Sequence, residues 1–341
     1  MIVPTYNRPG DIENLLASLE PDLGRLEVIV VDDGSPDPAI YDHLQGRYPT
    51  VRFLRQERNC GPAAARNRGA REATHELLFF VDSDTEVVPG TIDTIFRLYR
   101  ENPDFFACGG TISKEPINNT FFARYKALLE ASWALDREGR ITYIGHIGSR
   151  SFTIRRSVML ALGGFNENLP TADVEDYEFG YRLRQAQGPI PFFPGIRVRH
   201  RYDTFMVQAR AYYRRVILWW QLGDLSPGAD DVGTTSREAL VAILSTLMTL
   251  FVLAGLIWPI LLWAALLVGV GAIVGNYRFL GLCWRDQGPL FVIGAFAGHT
   301  FLSWFICAGG LVALVKSLIR RCCRGSFAGP ASRKLEANDA C

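Results

Sequence analysis

Two stretches of this chain carry no formal charge: Ala239 to Tyr277, 39 residues, and Gln287 to Val315, 29 residues. Runs of that length exceed what a buried core helix needs and match a bilayer hydrocarbon core of about 30 Å. At about 1.5 Å per residue the first run covers roughly 58 Å, close to two passes, and Pro259 near its midpoint marks a place to reverse. The second run gives one pass. A wholly soluble protein is excluded, and spans are expected near 239–257, 259–277 and 289–315.

The remaining charge sorts by segment. Residues 1–238 hold 28 basic and 32 acidic side chains, while 316–341 hold six basic and two acidic. That balance offers nothing to attract nucleic acid, so no nucleic-acid partner is expected. Six of the seven tryptophans (Trp219, Trp220, Trp258, Trp263, Trp284, Trp304) fall after residue 218, as indoles at a membrane–water interface would. The seven cysteines show no CxxC pair and read as free thiols of a reducing compartment. The opening segment MIVPTYNRPGD has no basic n-region and no apolar h-region, so the first 238 residues are expected on the cytoplasmic side of a cytoplasmic membrane, in a multi-pass protein. Three passes would put Lys316, Arg320, Arg321 and Arg324 outside; two passes would keep them inside, as the positive-inside tendency favours.

The first 200 residues alternate short apolar runs with helical stretches. Leu26–Val31, Val51–Leu54, Leu77–Val81 and Phe106–Gly110 are continuous and β-branched or aromatic, as strands covered on both faces should be. Between them lie the helical stretches Asp11–Leu19, Pro62–Ala73, Pro89–Tyr99 and Phe122–Leu135. The pattern predicts an α/β fold, a mostly parallel sheet with helices on both faces. Ligands of such sheets bind beyond the carboxyl ends of the strands. The first strand has only Ile2 and Val3 before Pro4; it reads as a strand cut short by a late start or a fragment, or else as a short edge strand. Residues 1–204 thus form one domain. Residues 205–238 follow as an interfacial amphipathic helix (Arg210, Arg214 and Arg215 beside Tyr212, Tyr213, Trp219 and Trp220) with a polar linker, or as a core helix of the domain. Residues 239–315 form the membrane region and 316–341 a basic, disordered tail.

Four motifs carry candidate chemistry. VVDDGS (30–35) ends a strand in Asp32 and Asp33, carboxylates that can accept hydrogen bonds from a nucleobase or ribose, although Asp-Gly is also an ordinary turn. Asp82-Ser83-Asp84 follows the apolar run LLFFV; two hard carboxylates at a strand end suit Mg²⁺ or Mn²⁺ shared with a substrate diphosphate. In NCGPAAARNRG (59–69), Gly-Pro opens a helix of small residues from which Arg66 can reach a phosphate. The fourth is GGFNE (163–167) followed by DVEDYE (173–178), four carboxylates in six residues at a helix start. The backbone dipole explains one or two of them, and a general base is the remaining candidate.

Taken in order, PTYNR (4–8), VVDDGS, NCGPAAARNRG, FFVDSD (79–84), Arg155-Arg156, GGFNE and EDYEFGYRL (175–183) resemble inverting family 2 glycosyltransferases of the GT-A fold, over most of residues 1–200. The apolar tail, with NYRFL (276–280) and GPLF (288–291), resembles membrane-anchored bacterial members. The resemblance implies roles. Pro4 and Tyr6 would line a nucleobase pocket, with Asp32 or Asp33 near a uracil, Arg66 close by and Asp82 facing ribose or sugar. Asp84 would bind Mg²⁺ or Mn²⁺ on the diphosphate, with His200 as a second metal candidate. Gly163, Gly164, Phe165 and Glu175 would shape the sugar–acceptor region, and Asp176 would take the acceptor proton. Processive members carry Gln-x-x-Arg-Trp after the base; QARAYYRR (208–215) lacks it, which argues for single transfers. The expected partners are a UDP-sugar, the bilayer and a lipid-linked or other membrane acceptor. Synthesis of a polyprenyl-phosphate sugar is a second reading, and an inactive nucleotide-sugar-binding subunit of an envelope-assembly complex a third.

Overall fold

The computed structural model describes residues 1–169, 174–221 and 236–324. In chain order the elements are β1 (Ile2–Thr5), α1 (Pro9–Leu19), β2 (Ile29–Asp32), α2 (Asp42–Arg47), β3 (Arg52–Arg55), α3 (Pro62–Glu72), β4 (Leu77–Phe80), β5 (Thr85–Val87), α4 (Thr91–Glu101), β6 (Ala107–Ile112), α5 (Phe121–Ser132), β7 (Thr142–Ile144), β8 (Phe152–Arg155), α6 (Arg156–Ala161), α7 (Glu175–Gln187) and β9 (Ile190–His200). Five helices follow: α8 (Phe205–Gln221), α9 (Ser236–Gly255), α10 (Leu261–Gly275), α11 (Tyr277–Gln287) and α12 (Pro289–Arg324).

One sheet runs in the order β3-β2-β1-β4-β8-β6-β9-β5, with β7 paired to β9. Strands β3, β2, β1, β4, β6 and β9 point one way and β8, β5 and β7 the other, so the sheet is mostly parallel, as expected. Its two faces follow from the period of two along each strand. Val3, Val30, Phe79 and Val81 face one core with Ile12, Leu15 and Leu16 of α1 and Ile92 and Ile95 of α4. Ile2, Ile29, Val31, Leu78 and Phe80 face the other, with Ala65 of α3, Met159 of α6 and Phe179 and Leu183 of α7. Both faces are therefore covered, which is why the strand sequences read as unbroken apolar runs. Strand β1 is buried along its whole length and sits between β2 and β4; the short-edge reading of Ile2–Val3 does not hold.

Arg237–Gly255 and Pro289–Ile319 are long and apolar enough to cross a membrane. A third candidate exists if α10 and α11, bent by 71° at their junction, count as one span. Helix α12 runs on to Arg324, so 316–324 continue that helix rather than belonging to a disordered tail. The linker at 222–235 and the tail at 325–341 lie outside the described residues.

Helix α8 does not stand apart from the domain. Ala209 shares a core with Phe122 and Tyr125 of α5 and Leu302 of α12. A side chain at Gly309 would put Cβ 2.6 Å from the Tyr213 carbonyl oxygen, so the absence of one lets α8 and α12 touch backbone to backbone. Cys108, Cys283 and Cys307 are free, as expected, whereas Cys60 is disulfide-bonded.

Candidate active site

The carboxyl ends of the parallel strands open into a cleft of about 940 Å³. Pro4 within β1 and Tyr6 just after it, Asp33 after β2, Asp82 and Asp84 after β4, and Glu175 and Asp176 at the start of α7 all line it. So do Arg66 of α3, His200 at the end of β9, and Gln208 and Arg215 of α8. Tyr6 is 43% exposed at its mouth.

The two aspartates of VVDDGS part company. Asp32 ends β2 and is used up below the cleft: its Oδ1 accepts from Ser35 N at 3.0 Å and Oγ at 2.5 Å, and its Oδ2 pairs with Arg55 at 2.5 Å. Asp33, one residue on, points to the cleft and accepts the amides of Cys60 and Gly61, both at 2.8 Å, and Gln56 Nε2 at 2.5 Å. It fixes the loop that leads into α3. Burial pushes the Asp33 carboxyl up, and those donors work against the rise.

Arg66 is 3% exposed and spans two carboxylates, Glu175 Oε1 at 2.9 Å and Asp82 Oδ1 at 2.7 Å. Burial opposes its charge, but Asp82 and Glu175 more than offset that and raise it. Arg66 therefore joins the end of β4 to the start of α7, across 109 residues of sequence from Glu175. Its Nε and the Oε2 of Glu175 are buried without a partner.

The GGFNE segment supports this clamp from beneath and does not line the cleft. Gly163 and Gly164 take φ of 77° and 72°, left-handed values that favour glycine. Asn67 locks the turn: it accepts Phe165 N and donates to Phe165 O, each at 2.8 Å, and donates to Glu167 at 2.7 Å. A Cβ on Gly164 would lie 2.3 Å from Asn67 Oδ1. The buried Phe165 ring packs against Phe80 and Phe179, and the Arg66 guanidinium sits 5.5 Å from its centroid.

Asp84 faces His200, with Oδ1 3.3 Å from Nε2, and Arg8, with Oδ2 3.5 Å from the guanidinium. The pairing of β5 with β9 causes this, because Thr85 lies opposite His200 in register. Burial alone would raise Asp84, yet His200, Arg8 and Arg150 hold it at about 2. Among the described residues no three His, Cys, Asp or Glu side chains converge as a cage for a metal.

Asp176 accepts Ser149 N at 3.3 Å through Oδ2 and its neighbour Tyr177 N at 2.9 Å through Oδ1. Burial and the adjacent Glu175 push it up to about 6, against Arg66, the Ser149 amide and Arg215. A carboxyl so placed is ionised near neutral pH and basic enough to accept a proton. The cleft thus brings together Pro4, Tyr6, Asp33, Arg66, Asp82, Asp84, His200, Glu175 and Asp176, and leaves out Asp32, Gly163, Gly164 and Phe165.

Sequence reasoning missed two contributors. Arg150, in the loop between β7 and β8, lines the cleft with its partner Glu130 of α5, and α8 supplies Gln208 and Arg215. The arginines of α8 were visible as a basic helical stripe, but nothing in the spacing separated a cleft wall from a headgroup contact.

A family model described as Glycosyl transferase family 2 matches residues 1–162. A pre-mycofactocin glycosyltransferase of Mycobacterium tuberculosis is 27% identical over 219 residues, which is 62% of this chain and 45% of that protein. A GalNAc(5)-diNAcBac-PP-undecaprenol beta-1,3-glucosyltransferase of Campylobacter jejuni is 33% identical over 105 residues, 30% of this chain and 34% of that protein. The chain therefore spans less than half the length of either relative. Among solved structures, a mannosyltransferase of Pyrobaculum calidifontis in complex with GDP-Man and Mn²⁺ shares the fold, with a TM-score of 0.53 at 17% identity over 92% of this chain and 86% of that one.

Proposed function

From the premise that the chain belongs to glycosyl transferase family 2 through its residues 1–162, we propose that it transfers a sugar from a nucleoside-diphosphate sugar, a UDP-sugar first, to a lipid-linked or other membrane acceptor, with inversion and without processivity. The observation that carries this is a single cleft into which the strand-end pair Asp82/Asp84 and the raised carboxyl of Asp176 both open.

Asp33, Pro4 and Tyr6 surround the nucleoside end, and Asp82 is aimed by Arg66 toward ribose or sugar. Asp84 and His200 would hold a divalent cation, since a hard carboxylate and an imidazole lie together in the cleft with Oδ1 3.3 Å from Nε2. When bound, Mg²⁺ or Mn²⁺ offsets charge on the departing diphosphate. Asp176 accepts the acceptor hydroxyl proton as that oxygen attacks the anomeric carbon from the side opposite the diphosphate. Glu175, held by Arg66, keeps Asp176 basic, and Ser149 N orients it.

The membrane acceptor is supported by α8, whose one side lines the cleft while the other packs on the apolar α12. The undecaprenol in the name of the Campylobacter relative agrees with that reading. The test is nucleotide release by the detergent-purified chain from UDP-, GDP- and dTDP-sugars, with and without Mn²⁺ and a membrane-lipid extract. Metal-dependent release that needs lipid supports the reading; release to soluble sugars alone refutes the membrane acceptor.

A further inference from the structure

Glu130 of α5 lines the cleft with both carboxylate oxygens engaged. Its Oε1 lies 3.1 Å from Lys126 Nζ, and its Oε2 lies 3.1 Å from Arg150 and accepts Tyr202 OH at 3.0 Å. Lys126 in turn donates to Tyr212 OH of α8 at 2.6 Å and sits over the Tyr212 and Trp133 rings. One carboxylate thus answers two cations, so the cluster keeps a net positive charge. Lys126 is sealed in at 2% exposure, whereas the Arg150 side chain is 32% exposed and lines the cleft. The surplus is therefore delivered to the cleft by Arg150.

Two other cations of the cleft are differently placed. Arg66 is shared by Asp82 and Glu175, and Arg8 by Asp11 and Asp84. Arg150 also acts electrostatically on both Asp82 and Asp84, which places it on the side of the cleft where the strand-end acids collect. Its loop is anchored at the neighbouring residue, since Ser149 N donates to Asp176. A planar guanidinium, steered from behind by a saturated carboxylate, is suited to two parallel hydrogen bonds to a phosphate.

We propose that Arg150, backed by Glu130, Lys126 and Tyr202, is a phosphate-binding subsite of the cleft that grips a phosphate group of a substrate. The inference rests on the proposed transferase reading. That phosphate comes either from the donor's diphosphate or from a prenyl phosphate headgroup on the acceptor, and the same chemistry serves both. Glu130 and Lys126 are positioning residues: they fix the guanidinium and do not touch the ligand.

The experiment is equilibrium binding to the full chain in detergent, comparing wild type with Arg150→Gln and Arg150→Lys. The probes are UDP, GDP and their nucleosides with Mn²⁺ present, and farnesyl phosphate. If Arg150 grips the donor, Arg150→Gln weakens the preferred nucleoside diphosphate 10-fold or more, leaves the nucleoside unchanged, and Arg150→Lys recovers part of the loss. If it grips the acceptor, nucleoside diphosphate binding is unchanged and farnesyl phosphate weakens to the same degree. Either result upholds the subsite and identifies its source. Both ligands binding Arg150→Gln as they bind wild type, with an unchanged melting temperature, overturns it. Should Arg150→Gln fail to fold, the Lys variant decides: a point charge without the planar fork must still bind less tightly than wild type. Wild type binding neither probe refutes the transferase reading, and the subsite with it.

Discussion

Replacing Asp176 by Asn should stabilise this protein while abolishing its chemistry. Burial and the Glu175 carboxylate raise the Asp176 carboxyl from 3.8 to about 6. That gap corresponds to about 3 kcal/mol of unfavourable free energy when the group is ionised in the folded state. Asp176 is only partly shielded from solvent, so a gain of ~1–3 kcal/mol is the fair expectation for the neutral amide. An acid raised above its unfolded value costs stability in full above about pH 6, where it is ionised in both states. The cost fades as pH falls toward 3.8, because the folded form has by then taken up its proton. Asp176→Asn should therefore melt a few degrees higher than wild type at pH 7.5, with the difference closing by pH 4. Turnover should fall by about 10²-fold or more, since no base remains, with nucleoside diphosphate affinity little changed. Thermal unfolding in detergent at the two pH values, beside nucleotide release, checks all three. A variant that melts lower at pH 7.5, or a difference that ignores pH, would refute the account of why this carboxyl is basic.

Four further outcomes follow from the same geometry. Wild-type kcat/KM should drop as pH falls through about 6, and a profile flat from pH 7.5 to 5 would remove Asp176 from the reaction. Arg66→Met should lose about 3–5 kcal/mol, because Asp82 and Glu175 would stay behind without their cation; denaturant titration reads this directly. Asp84→Ala should remove the Mn²⁺ dependence of nucleoside diphosphate binding, as measured by calorimetry with and without the ion. Gly309→Leu should force α8 away from α12, since even a Cβ would lie 2.6 Å from the Tyr213 carbonyl oxygen; activity should fall although the change is remote from the strand-end acids.

Much of the fold was legible because both faces of the sheet are covered, so the strands appear as unbroken apolar runs between helical stretches. The acids at strand ends were legible for the same reason, since a carboxylate directly after such a run has to emerge at the sheet's edge. Asp32 and Asp33 were not separable: adjacent residues at a strand end point opposite ways, and the choice depends on Arg55 arriving from β3. GGFNE was legible as a turn, but its work of holding Asn67 and flooring Arg66 rests on contacts across about 100 residues. Arg150 carried no signal, because a lone arginine in a loop shows its purpose only beside Glu130. Helix α8 showed its basic and aromatic faces plainly. Which face met which neighbour depended on the close approach at Gly309, far along the chain.

The anomeric configuration of the first-formed product tests the central claim most directly. The donor found in the nucleotide-release screen would be incubated with the full chain and a membrane-lipid extract, and the extracted glycolipid read by proton NMR. Direct displacement with Asp176 as base predicts a β-linked product from an α-linked donor, formed about 10²-fold or more slowly by Asp176→Asn. A product that keeps the donor's configuration, or forms equally well with the variant, would contradict it.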